Sequence, residues 1–150
     1  DNVDPAELAR PKRYLVHEVV ALATVLGVVS SFFDFTFFAF FFRQPLSHLQ
    51  TYWFIGSVLT ELVFIYSIRV HKFVFKAIPP GKILFLLSIV AGVASIAIPF
   101  TSFGQSVFGF VRPSLPSMLV VFAIVAIYFV TSEVVKLAYY ASGRTNKGEA

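Results

Sequence analysis

Three carboxylates stand inside long apolar stretches of this 150-residue chain: Asp34, Glu61 and Glu133. Charge in hydrocarbon is costly, so an acid placed there faces a partner or a water-filled path. The chemistry open to it is cation coordination, proton carriage or a protonated structural hydrogen bond. Glu133 stands three residues before Lys136, a spacing that predicts an i,i+3 ion pair near a helix end. Glu61 shares a helix face with Ser57 and Thr60 and lies roughly 18 Å in from Leu49, close to mid-membrane. Asp34, counted inward from Phe42, lies roughly 12 Å deep. If the two helices run antiparallel and pack by their polar stripes, Asp34 and Glu61 approach each other. These two are the candidates for an ion pathway, with a structural hydrogen bond as the competing reading of both.

Other site chemistry is scarce. Cysteine is absent, so neither a disulfide nor a thiolate metal site can form. His17, His48 and His71 fall near three different helix ends, too scattered for a zinc site. There is no phosphate-cradling Gly loop, no Ser-His-Asp arrangement in one segment and no pair of carboxylates outside the apolar stretches. No catalytic residue, no metal ligand set and no cofactor is expected in this chain.

The carboxylates are positioned by four apolar stretches, Val19 to Phe42, Leu49 to Ile68, Ile83 to Phe100 and Met118 to Leu137. A helix needs roughly 20 apolar residues to cross a hydrocarbon core about 30 Å thick. In lipid an α-helix is the one open-ended way to satisfy every backbone amide. The predicted fold is therefore all-α, an integral membrane bundle of four transmembrane helices, with spans at about 15–42, 49–69, 82–100 and 117–138. Composition agrees: 57% of residues are apolar and 13% charged, the latter about half the share of a soluble domain.

The net charge of +4 is explained by topology rather than by nucleic acid. Arg10, Lys12, Arg13, Arg69, Lys72, Lys76, Lys82, Lys136, Arg144 and Lys147 are ten of the twelve basic residues and flank one side; Arg43 and Arg112 fall on the other. Cytoplasmic loops collect Lys and Arg. A multi-pass protein of the plasma (inner) membrane with both termini cytoplasmic is expected.

Small residues mark where the helices meet. Thr24, Gly27, Ser30, Ser31 and Asp34 recur at helical spacing on the first span, and Ser88, Ala91, Gly92 and Ser95 on the third. Helices in lipid associate through close packing and interhelical hydrogen bonds, so Gly27, Ser31, Gly92 and Ser95 are expected at packing seams. Eight Phe between Phe32 and Phe42 are the outward counterpart, meeting acyl chains or neighbouring helices. Residues 1–14 read as a cytoplasmic segment with a short helix capped by Asp4, Pro5 and Glu7 and ended by Pro11. Residues 15–140 form the membrane region and 141–150 a cytoplasmic tail. The chain opens on Asp1 rather than Met, which points to a piece cut from something longer.

Several motifs fall in an order that resembles a known family. Asp1-Asn2-Val3-Asp4, then Arg10-Pro11-Lys12-Arg13-Tyr14, Ser30-Ser31-Phe32-Phe33-Asp34-Phe35-Thr36-Phe37, Gln50-Thr51-Tyr52-Trp53-Phe54 and Ile98-Pro99-Phe100 look like the C-terminal transmembrane region of a P-type cation-transporting ATPase, most like the magnesium-transporting branch. The resemblance implies a stretch running through the seventh to tenth membrane helices, which supports the moving helices. It implies a parent that hydrolyses ATP through an aspartyl phosphate, with ATP and Mg2+ as that parent's requirements. The phosphorylated Asp-Lys-Thr-Gly segment and the Thr-Gly-Glu loop of such parents do not occur here. The family's glutamate after Trp-Phe is also missing: Trp53-Phe54 is followed by Ile55-Gly56, and Glu61 falls where the pattern often has glutamine.

Two functions follow as expectations. The first is a support region of such a pump, without hydrolysis of its own, whose partners are the lipid bilayer and the pump's remaining helices. The alternative is a small self-standing four-helix transporter, a homo-oligomer and most simply a dimer, in which Glu61 carries a proton or binds a cation. A third possibility is a regulatory or assembly subunit of a pump.

Overall fold

The computed structural model describes residues 16–69, 73–76 and 78–145. The capped opening segment expected at Asp4 to Pro11, His71 and Lys147 lie outside the described residues. Helix α1 spans Val16–Phe41, α2 Leu46–Ile68, α3 Lys82–Ala97, α4 Ser102–Phe108 and α5 Leu115–Thr145. No strand occurs among the described residues. Four helices are long and apolar enough to cross a membrane, at Val20–Phe41, Leu46–Ile68, Lys82–Phe100 and Leu115–Ala141.

The third crossing reaches its length in two pieces. The α-helix ends at Ala97 and a 3-10 turn, Ile98–Phe100, continues it. Pro99 lacks an N–H and its ring crowds the preceding turn, so the regular ladder stops there. At the other end of the chain α5 runs to Thr145, past the limit near 138 that its apolar stretch suggests. Its last turns are polar, and length beyond the hydrocarbon is free to stand in water.

The core is made by α1, α2 and α5. Phe33, Phe37 and Phe41 of α1, Tyr52 and Ile55 of α2, and Met118, Val121, Ile124 and Tyr128 of α5 bury one another. On α1 these are i, i+4 and i+8, one stripe of the helix. The eight phenylalanines therefore divide: three enter the core, while Phe32, Phe35, Phe38, Phe40 and Phe42 stay exposed. Helix α3 packs chiefly against α2, and most of its surface is left to the surroundings. That distribution suits a bilayer, where exposed Leu and Phe lose nothing.

One hydroxyl pair crosses the core, from Ser30 Oγ of α1 to the Tyr128 phenol of α5 at 3.0 Å. Tyr128 is buried and also meets the Phe33 ring edge-on at 5.2 Å. Tyr128→Phe keeps the ring and removes the bond. The expected loss is about 0.6 kcal/mol, the usual worth of such bonds in membranes, read as a small drop in the detergent-denaturation midpoint.

Candidate functional site

The carboxylates occupy three separate environments. Asp34 is half-buried on α1, and its Oδ1 accepts a bond from the Trp53 indole Nε1 of α2 at 3.2 Å. The Phe38 ring lies 5.9 Å from the same indole. Asp34 is thus tied across the α1–α2 seam. Glu61 is exposed on α2, and no hydrogen bond or ion pair engages it among the described residues. Asp34 and Glu61 are not bonded to each other.

Glu133 is the most engaged of the three. Its Oε1 accepts from the Ser67 hydroxyl at 2.6 Å and from Lys136 Nζ at 2.6 Å. Its Oε2 accepts from the Val74 backbone N–H at 3.1 Å. Lys136 Nζ also donates to the Ser67 carbonyl at 3.0 Å. Both side chains are buried, at 2% and 0% exposure, so this i,i+3 pair belongs to the interior and not to a solvated helix end. It joins α5 to the last turn of α2 and to the 3-10 turn Val74–Lys76 in the connection that follows. Nearby, the Arg69 guanidinium donates to the Ile78 carbonyl and draws the same connection together.

The small-residue positions divide as the carboxylates do. Gly92 of α3 faces α2: a Cβ there would stand 3.5 Å from Leu62 and 3.8 Å from Leu59. Ser95 is buried and returns its hydroxyl to the Gly92 carbonyl at 2.8 Å. Gly27 is exposed, with nothing within 4 Å of a Cβ, and Ser31 is exposed with its hydroxyl on the Gly27 carbonyl. A Cβ at Gly27 would therefore meet no neighbouring helix among the described residues, and the Ser31 hydroxyl is bonded within α1.

Four consecutive residues hold more of the structure than their sequence announces. Gln50 Nε2 donates to the Phe108 carbonyl at 3.2 Å. The Thr51 hydroxyl accepts from the Val111 N–H at 3.0 Å, and the Tyr52 phenol from the Ser114 N–H at 3.2 Å. Trp53 holds Asp34, as above. The motif Gln50-Thr51-Tyr52-Trp53 therefore fastens the whole α4–α5 connection, and α1, to the first turns of α2. A hint was available: four hydrogen-bonding side chains in a row inside a span must find partners, because lipid offers none. The partners of Gln50, Thr51 and Tyr52 are backbone groups about 60 residues away in sequence, and that of Trp53 is a side chain on α1, which no local pattern specifies.

Among the described residues no three His, Asp or Glu side chains converge as a metal site would require. His48 stands by itself beside Tyr52, ring centroids 6.3 Å apart. What the fold and its polar positions define is a multi-pass helical membrane protein. Residues 1–138 match the family described as "Cation transporting ATPase, C-terminus", and the chain belongs to that family. It is a C-terminal membrane region of a P-type cation ATPase. Among curated proteins no match was found.

Proposed function

We propose that this chain is a support: a set of helices that packs beside the ion-translocating helices of its ATPase and takes no part in hydrolysis. The observation that carries the reading is the way its internal charges are used. Glu133 is neutralised by Lys136 and Asp34 is held by Trp53, so two of the three carboxylates serve the fold. A rigid core of α1, α2 and α5 with interlocked ends is what a moving part needs to press against. ATP and Mg2+ belong to the parent pump, and transported magnesium is the ion that the motifs favour. The basic residues around both termini and the 69–82 connection favour the cytoplasmic side for these, with the α1–α2 and α4–α5 connections outside. A phosphoenzyme formed from ATP by the purified chain alone would overturn this reading. The expected result is none.

Glu61 supports a second reading, in which this carboxylate itself carries a proton or binds a cation, in a homo-oligomer that works without the pump. Its exposure without a partner among the described residues is the observation in favour. Glu61→Gln in proteoliposomes separates the two. For a support region the isolated chain moves no cation with either residue; for a carrier the wild type transports and the variant is silent.

A further inference from the structure

One flank of α2 is only partly covered by the other described residues, and it is not apolar. Gln50, Trp53, Ser57 and Glu61 follow each other at intervals of three and four, so they share a face running about 16 Å along the helix. Where this face begins, near Leu46, it carries a hollow of about 240 Å³ lined by Gln50, Trp53, Phe54, Ile98, Phe108 and Phe110. Its far wall is built, not loosely draped. Thr101 caps α4 by accepting from the Gly104 N–H at 3.0 Å, and Gly109 ends it in the left-handed region at φ 66°. Phe110 then stacks on Phe108 at 5.4 Å and lies tilted against Phe54 at 4.9 Å, while Gln50 holds the Phe108 carbonyl.

Lipid satisfies one end of this face and not the other. An acyl chain can enter an apolar hollow. It cannot solvate the carboxylate of Glu61, three helical turns deeper, where an exposed charge is strongly unfavourable. A protein helix covers both. Since a cavity of about 150 Å³ with aliphatic and aromatic walls takes a benzene ring, the larger hollow here accommodates a Leu, Met or Phe side chain.

We infer that this flank of α2 is the seat of one membrane helix from the part of the ATPase outside these 150 residues. An apolar side chain of that helix enters the hollow, and a hydrogen-bond donor or cationic group about three turns along meets Glu61. The inference rests on the support reading above and gives it a contact face.

The test is photo-crosslinking in native membranes, with the protein expressed from its complete reading frame. Phe108→p-benzoylphenylalanine and, separately, Gln50→p-benzoylphenylalanine place a probe at the hollow; both positions are exposed, and either suffices if the other variant fails to accumulate. Adducts mapped by mass spectrometry are expected on a membrane segment of the pump outside these residues. Adducts on phospholipid, or on residues 1–150 of a second copy, overturn the inference. Co-purification keeps the two failures apart. If the pump purifies whole while the probes label lipid, the seat is wrong and the support reading stands; if these helices purify without any pump segment, the support reading falls as well.

Discussion

Lys136→Met is expected to destabilise the protein by about 3–5 kcal/mol, the usual cost of leaving a buried charge without its partner. Lys136 and Glu133 are almost wholly buried, so bulk solvent is held away from the carboxylate. The carboxylate would keep the Ser67 hydroxyl and the Val74 N–H and lose the counter-charge that Lys136 supplies. The Ser67 carbonyl, near the end of α2 where helical acceptors run out, loses a donor as well. The expected readout is a collapse of folded protein in detergent and a large fall in the denaturation midpoint.

The control is the double change Glu133→Leu with Lys136→Met. Replacing a whole buried pair by apolar residues of similar size is commonly neutral or stabilising. The double variant is therefore expected to recover most of the loss, leaving chiefly the cost of the freed Val74 N–H and Ser67 groups, about 1–3 kcal/mol. If both single variants and the double are equally unstable, the pair's charges are not what matters there. If Lys136→Met alone is harmless, the buried pair contributes little, and the connection after α2 is held by other contacts.

Periodicity and length made the four crossings legible, because a bilayer imposes one requirement that local composition alone can meet. The i,i+3 spacing likewise announced the Glu133–Lys136 pair. What it did not announce was burial, since Ser67 and Val74 come from the other side of the fold and only tertiary packing brings them in. The same limit governs Asp34. Its place inside an apolar helix was readable, but its partner is the Trp53 indole and not a carboxylate, because a long side chain on α2 reaches back across the seam. Small residues were ambiguous for a related reason: Gly27 and Gly92 look alike in sequence, yet one faces α2 and the other faces out. Only the arrangement of neighbours tells them apart. The hollow beside Trp53 had no sequence signal at all, being formed by three segments that meet only in the fold.

A glycine that belongs to neither stripe sets how closely α1 and α2 approach. A Cβ at Gly56 of α2 would fall 2.2 Å from Phe37 Cζ and 2.4 Å from Cε1, inside any permissible contact. Phe37 is fully buried among Phe33, Phe41, Tyr52 and Ile55, so its ring has nowhere to turn. Gly56→Ala must therefore push α1 and α2 apart along the seam that also carries the Asp34–Trp53 bond. Overpacking of this kind costs about 1–3 kcal/mol, and more is expected for Gly56→Leu. Trp53 is the only tryptophan in the chain and reports on that seam directly. Its emission should shift as the indole loses Asp34. Phe37→Leu shortens the side chain that a new Cβ strikes and leaves a small void when made alone. Combined with Gly56→Ala it should restore part of the stability, giving a coupling of about 0.5–3 kcal/mol in a double-mutant cycle. Strict additivity of the two changes would mean that the ring and the glycine do not meet. The close approach of α1 to α2 would then need another cause.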